Sequence, residues 1–268
     1  MPKSPGRVLI IAGSDPGGGA GIQGDIKTVT ALGGYASAAI TALTAQNTQG
    51  VFGIHAVPVD FVRQQVTLVL DDIGADAIKT GMLHTAGIIG MLADILKDSA
   101  VPLILDPVMF AKGGAALLKE DALDALKKKL LPLAAIVTPN IPEAEYLSGT
   151  KIASVNDMKK AAEKIRALGC RAVLLKGGHM EGDMLTDILL HENGVEVFTD
   201  SRLKTMHTHG TGCTLASAIA TGLAQGMPLK EAVIRARAFV MKALEHAPGL
   251  GQGHGPLGHA QTFTRFSS

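Results

Sequence analysis

"RVLIIAGSDPGGGAGIQGD", residues 7–25, runs from a short β-rich apolar stretch through a glycine-rich turn into a segment with helical spacing. The same transition recurs along the chain. "ASAAITALTAQ" (36–46), "ADAIKTG" (75–81), "VPLILDPV" (101–108), "LAAIVTPN" (133–140) and "RAVLLKGG" (171–178) are further apolar runs, each separated from the next by a longer segment. In those longer segments apolar residues return at three and four positions, as in Ile88, Met91, Leu92 and Ile95, or Met158, Ala161, Ala162 and Ile165. That is the period of a helix with one packed face. Strands alternating with helices predict an α/β fold in which a parallel sheet is covered by helices. One stretch breaks the rhythm: in "LLHENGVEVF" (189–198), Asn193-Gly194 between two apolar runs predicts a local antiparallel hairpin.

Length and charge narrow the possibilities. The 268 residues suffice for one large domain with an extensive core, and no linker divides them, so residues 1–268 read as a single domain with a glycine-rich tail from about 247. The tail loses helical periodicity and is expected to be extended or partly mobile, with His254 and His259 facing solvent. The 25 basic and 24 acidic residues nearly cancel, so neither nucleic acid nor an anionic membrane is an expected partner, and a small molecule is. Two cysteines, Cys170 and Cys213, make neither a disulfide framework nor a zinc cluster and fit a reducing cytoplasm. The short apolar stretch near the amino terminus is interrupted by Asp15 and Pro16, too soon for a membrane span.

In an open parallel sheet ligands gather at the carboxyl ends of strands, so each strand-to-helix junction is a candidate site. The first contains a formal GxGxxG at Gly19, Gly21 and Gly24, but no acid follows between Asp25 and Asp60 to hold a ribose, which disfavours a dinucleotide. Asp15 and Asp25 flank this loop instead, and its backbone can approach a small polar ligand; a tight turn with Asp25 exposed is the bland alternative. The second junction carries Gln46, whose amide suits a heterocycle with ring nitrogens and an exocyclic amine, although turn formation alone explains its neighbours Asn47 and Thr48. Lys79, Gly81 and Met82 reach a third, where Met82 offers an apolar wall or simply packs in the core. Asp106, and then Asn140 with Glu143 after Pro139, bring the acids and amides that manage a metal-bound phosphate, while Asn140 and Glu143 also read as a helix cap. Lys176 adds an ammonium at another strand end.

In "HTHGTGCTLASAIATGL" (207–223), Gly210, Thr211 and Gly212 can turn successive amides toward one point, where the following helix adds its positive end. Cys213 at that helix start has its thiolate favoured by the dipole and is placed to take a proton from an attacking hydroxyl; inert packing is the rival reading. Cys170, with neither glycine turn nor helix start, is expected to be structural.

Taken in order from about residue 7 to about 260, "AGSDPGGGAGIQGD", "TALTAQNTQGV", "KTGML", "LDPVM", "TPNIPEAE", "LLKGGH" and "THGTGCTLASAIA" resemble the hydroxymethylpyrimidine/phosphomethylpyrimidine kinases of thiamine synthesis. The resemblance implies a ribokinase-like three-layer α/β/α sandwich, a homodimer, and phosphorylation of 4-amino-5-hydroxymethyl-2-methylpyrimidine and then of its monophosphate, with ATP and Mg2+. It implies further that Gln46 reads the aminopyrimidine, with Asp25, the Gly19-Ala20-Gly21 loop and Met82 around it. Cys213 stands at the position of the catalytic base behind the Gly210, Thr211, Gly212 anion hole, with Lys176, Asn140 and Thr208 toward ATP and Asp106 and Glu143 toward the metal. Gly24, Thr80 and Phe110 depart from the usual residues, and the larger Phe110 is expected to narrow the pocket mouth. A pyridoxal kinase of the same superfamily and a non-catalytic pyrimidine- or nucleotide-binding regulator are the alternatives. "AKGGAALL" (111–118) is a candidate lid.

Overall fold

The computed structural model describes residues 5–110, 118, 120–178 and 182–262. Its strands are β1 (Arg7–Ser14), β2 (Tyr35–Asn47), β3 (Gly50–Ala56), β4 (Ala77–Thr80), β5 (Leu103–Leu105), β6 (Ile136–Val137), β7 (Val173–Lys176), β8 (Met184–His191) and β9 (Gly194–Ser201). They form one nine-stranded sheet in the order β3-β2-β1-β4-β5-β6-β7-β8-β9. From β2 through β7 every neighbouring pair is parallel, and the sheet turns antiparallel at both ends, β2 with β3 and β7 with β8 with β9.

Alternation along β1 builds the layers. Leu9 and Ile11 point into one apolar cluster, Val8, Ile10 and Ala12 into the other, and all are buried. Buried on both faces, the strand reads as a continuous apolar run. The first cluster takes side chains from α2 (Val59–Asp72), α3 (Ala86–Leu96), α4 (Glu120–Ala125), α5 (Ile141–Ser148) and α6 (Val155–Arg166). The second takes them from α1 (Gly21–Ala31), α7 (Thr211–Ala224) and α8 (Leu229–Glu245). The result is helix, sheet and helix in three layers. Met158, Ala161, Ala162 and Ile165 are the buried stripe of α6, as their spacing predicts. Cys170 is buried nearby, its thiol pushed up to about 11 by burial.

Two expectations change. The chain does not hand over from β2 to a helix: Asn47 Oδ1 accepts the amides of Gln49 and Gly50, at 2.8 and 3.3 Å, and turns it back as β3. A second antiparallel hairpin therefore accompanies the β8–β9 hairpin expected at Asn193-Gly194. The tail, as far as residue 262, is not a free end. Gly253 and His254 donate backbone N–H to Thr48 Oγ1 and O at 3.2 and 2.8 Å, and His209 donates its own to Gly255 O at 3.1 Å. His259, expected in solvent, is only 5 % exposed and lies 2.9 Å from Thr214 Oγ1. His254 is exposed, as expected. The candidate lid, apart from Leu118, and His179 of "LLKGGH" lie outside the described residues.

Candidate active site

Strand order reverses at β1, which has β2 on one side and β4 on the other. Beyond the carboxyl ends of these strands opens a cavity of about 1030 Å³. Gln46, Met82, Lys176, Thr208 and Cys213 all line it. So do Ala20 with Gly21, Asp106 with Asn140 and Glu143, and the Gly210-Thr211-Gly212 turn. Two expected contacts do not. Gly19 is packed against His209 and Pro256, and Asp25 is fully buried beneath the floor, its carboxylate bonded to Lys79 and Ser217. Asp25 lies one helical turn inside α1, which aims it at the sheet rather than at the cavity.

The turn before α7 is built from backbone. Gly210 caps α7 at φ 85°, and no side chain caps that helix. A Cβ at Gly210 would overlap the carbonyl of Gly19, so the turn is open to glycine alone. The leading amides of α7 are thus left for a ligand, at the positive end of the helix. Cys213 sits in this first turn, but burial pushes its thiol up to about 11 against the pull of Lys79, with Asp25 and Asp106 adding to the rise. The thiol, half-buried at the cavity edge, is therefore the resting form rather than the thiolate expected at this helix start.

Beside this turn Lys176 ends β7, its Nζ 3.2 Å from where a Cβ on Gly212 would stand, and it reaches Asp106 Oδ1 at 3.1 Å, an oxygen that also accepts from Thr138 Oγ1 at 3.0 Å. Burial opposes the Lys176 charge, but Asp106 and Glu143 more than offset it and hold it above the ordinary range. Asn140 and Glu143 form a capping box at the start of α5: Asn140 Oδ1 accepts the Glu143 amide at 3.0 Å and Glu143 Oε2 accepts that of Asn140 at 2.8 Å. Burial pushes Glu143 up to about 7 against the pull of Lys176, and Asp106 adds to the rise. Among the described residues no three His, Cys, Asp or Glu side chains cluster as a metal cage. Two carboxylates beside a cationic side chain suit Mg2+ that keeps water and phosphate oxygens as its remaining ligands.

The residue that sequence reasoning missed is His209. Its Nε2 lies 2.9 Å from Asp15 Oδ2 and 3.2 Å from Gln46 Nε2. Asp15 also accepts the amides of Gly17, Gly19 and Ala20 and so shapes the glycine loop. Burial works against the Asp15 charge, but His209 and the Ala20 and Gly17 amides outweigh it and hold the carboxyl below its usual range. An ionised carboxylate only accepts, so His209 Nε2 carries a proton. Thr44 Oγ1 gives its single proton to Ser14 O at 2.9 Å, so it cannot also donate to Gln46 Oε1, 3.4 Å away. With Nε2 toward His209 and Oε1 toward Thr44 the amide meets the wrong partner at both ends. Turned over, its NH2 donates to Thr44 Oγ1, and its carbonyl faces the one Nε2 proton of His209, of which Asp15 at 2.9 Å takes the larger share. Gln46 then offers the cavity one N–H and one carbonyl lone pair, each in a fixed place. The signal for His209 was its position one residue before the Gly210 turn, but a contact with Asp15 across 194 residues has no local signature.

A glycine turn at a helix start, a lysine–aspartate pair and a side-chain amide converge on one cavity of a three-layer, ribokinase-like α/β fold. The chain belongs to the phosphomethylpyrimidine kinase family, whose sequence model matches residues 15–258. It is 46 % identical over 255 residues to the hydroxymethylpyrimidine/phosphomethylpyrimidine kinase of Bacillus subtilis, covering 94 % of each chain. It is 52 % identical over 255 residues to the thiamine biosynthesis bifunctional protein ThiED of Geobacter sulfurreducens, covering 95 % of this chain and spanning about half, 52 %, of that longer protein. The pyridoxal kinase of Staphylococcus aureus, solved with pyridoxal, superposes with a TM-score of 0.88 at 37 % identity, over 97 % of this chain and 95 % of that one.

Proposed function

We propose that the protein uses ATP to phosphorylate the hydroxymethyl group of 4-amino-5-hydroxymethyl-2-methylpyrimidine and then the resulting monophosphate, within thiamine biosynthesis. The observation that carries this reading is the single cavity bordered by Gln46 on one side and by Cys213 with its glycine turn on another. In it, Gln46 pairs with a ring nitrogen and the exocyclic amine, held in orientation by His209 and Asp15, and Met82 supplies an apolar wall. The hydroxyl then faces Cys213, which takes its proton, while the amides of Gly210, Thr211, Gly212 and Cys213 hold the transferring phosphoryl group. Lys176, Asn140 and Thr208 bind the nucleotide's phosphate side. Mg2+ would be held by Asp106 and Glu143 and, when bound, would neutralise charge on the phosphates.

A second reading, a pyridoxal kinase, is favoured by the likeness to the Staphylococcus aureus enzyme at 37 % identity. Offering the pyrimidine alcohol, its monophosphate and pyridoxal separately with Mg-ATP, and analysing the phosphorylated products, decides between them. Phosphate on both pyrimidines and little on pyridoxal is expected; turnover of pyridoxal alone would replace the reading. We also take the protein to act as one domain, in the cytoplasm, as a homodimer. The two unpaired cysteines, the one continuous sheet and the solvent-facing Leu43, Phe52 and Ile54 on the β2–β3 hairpin support this in turn. Among the described residues no helix is long and apolar enough to cross a membrane.

A further inference from the structure

Two helices start at the floor of the cavity, α1 at Gly21 and α7 at Thr211. One turn inward from Gly21 is Asp25, and one turn inward from Cys213 is Ser217. These two meet: Ser217 Oγ donates to Asp25 Oδ1 at 2.7 Å. The other carboxylate oxygen, Oδ2, receives Lys79 Nζ at 2.7 Å. Asp25, Lys79 and Ser217 are all fully buried. Lys79 leaves β4 directly under the cavity wall: a Cβ added to cavity-lining Gly81 would lie 3.1 Å from the ammonium.

An ammonium has three protons to place, yet among the described residues Asp25 is the only hydrogen-bond acceptor Lys79 has. As a structural tie such a buried pair is poor value, since well-packed apolar residues in its place are often as stable or more so. Its other neighbour explains it. Cys213 Sγ, which also accepts the Gly21 amide, lies within the electrostatic reach of Lys79. The charged groups facing the sulfur are Lys79 from β4 and Lys176 from β7, both favouring a thiolate, and Asp25 from α1 and Asp106 from the end of β5, both opposing it.

We propose that Lys79 is a positioning residue for Cys213: held beneath Gly81 by Asp25, its buried positive charge stabilises the thiolate that receives the substrate's hydroxyl proton. This rests on the kinase reading only for the identity of the proton's donor. In that step the hydroxyl oxygen bonds to the γ-phosphorus of ATP as the bond from phosphorus to ADP breaks. ADP leaves with the electron pair, and the hydroxyl proton ends on the Cys213 sulfur, which returns it to solvent. Asp25 fixes the ammonium, and Ser217 ties that anchor to the helix carrying the thiol.

The test reads the sulfur directly. In a Cys170→Ala background Cys213 is the sole thiol, and its rate of alkylation by iodoacetamide against pH, followed by intact mass, gives the titration midpoint without any turnover. With Lys79→Met the midpoint is expected to rise by about one pH unit, a roughly ten-fold slower reaction at a fixed pH below it. With Asp25→Asn, which removes an opposing charge and keeps the ammonium, it is expected to fall. A merely structural role predicts the same direction for both, since loosening the floor hydrates the thiol and lowers its midpoint either way. An unchanged or lowered midpoint in Lys79→Met overturns the proposal. If that variant does not fold by circular dichroism, Lys79→Gln and Asp25→Asn carry the test, and a raised or unchanged midpoint in Asp25→Asn overturns it. The pH profile of kcat, measured with whichever alcohol is turned over, should move with the midpoint. A midpoint that shifts while the kcat profile does not leaves the kinase reading standing and removes Cys213, and with it Lys79, from the proton's path.

Discussion

Among the described residues two lysine–aspartate pairs are largely buried, Lys176 of β7 with Asp106 after β5 and Lys79 of β4 with Asp25 of α1, and they differ in what surrounds them. Lys176–Asp106, at 3.1 Å, keeps 15 % of the lysine side chain exposed and lines the cavity. Lys79–Asp25, at 2.7 Å, is sealed, with neither side chain exposed. The open pair can exchange partners with an incoming anion, because its lysine reaches the cavity and its aspartate already shares an oxygen with Thr138. The sealed pair can exchange nothing and acts only through its field. Removing charge from the first should therefore be felt as lost turnover, and from the second as lost stability together with a displaced pH profile.

The largest effect expected tests what both pairs serve. Cys213→Ala should lower kcat by about 10²–10⁴-fold, the usual worth of a positioned general base, with substrate binding largely kept in a calorimetric titration. Retained turnover would leave neither pair a thiol to serve. In the unaltered protein the thiol, pushed up to about 11 by burial, is protonated at neutral pH. Below that value kcat should rise about ten-fold per pH unit until another step limits, and a flat profile between pH 6 and about 9 would break the assignment. Next comes the open pair: Lys176→Met should cost about 10²–10³-fold in kcat/KM for ATP, the range seen when a group stabilising transition-state charge is removed. Its loss of stability should be the smaller of the two, because Asp106 keeps Thr138 and borders the cavity, where water can replace the ammonium. Lys79→Met should show the reverse weighting, about 3–5 kcal/mol of stability by urea denaturation because Asp25 is left buried without its partner. Equal stability losses in the two variants would erase the distinction between them.

How much of this could be read from residues alone divides along the same line. The layers were legible because Val8 to Ala12, Ala77 with Ile78, Leu103 to Leu105 and Val173 to Leu175 are buried on both faces of the sheet, and such stretches are apolar without interruption. β3 was not, because "GVFGIHA" has two glycines and an exposed face and lies on the sheet's edge, where burial imposes little pattern. The cradle at Gly210 was legible because only glycine tolerates its backbone. Asp15 and Asp25 were not separable, since both flank the same loop and what distinguishes them is tertiary: His209 reaches one and Lys79 the other. Packing from distant parts of the chain made the difference. The same holds for Cys213, whose helix start was foreseen and whose desolvation was not.

A smaller effect tests the amide reader, which has a paired acid of its own but no lysine. His209→Phe keeps ring volume and removes the Nε2 proton that Asp15 and the Gln46 carbonyl share, so the amide keeps only Thr44 to orient it. KM for the aminopyrimidine should rise about ten-fold, the loss of roughly one net hydrogen bond, with kcat less affected. Discrimination against an analogue carrying oxygen in place of the exocyclic amine should weaken with it. Unaltered discrimination would mean that Gln46 is oriented by Thr44 alone.

The last contrast sets the tail against the sealed pair, since His259 is also buried but stays neutral. Burial, reinforced by the charge of Lys27, lowers it to about 4, and Thr214 Oγ1 donates to its bare Nε2. The folded value lies below the unfolded one of 6.5, so between those values the unfolded chain binds the extra proton and stability rises with pH. The full contribution is present above about pH 6.5 and drains away as pH falls toward 4, by about 3 kcal/mol for a shift of this size. His259→Gln keeps an acceptor for Thr214 and removes the titration, so its urea midpoint should fall less than the parent's between pH 7 and pH 4.5. A parent protein whose stability is level across that interval would show that the tail opens without penalty, and that Thr214, next to Cys213 on α7, is held by the helix alone.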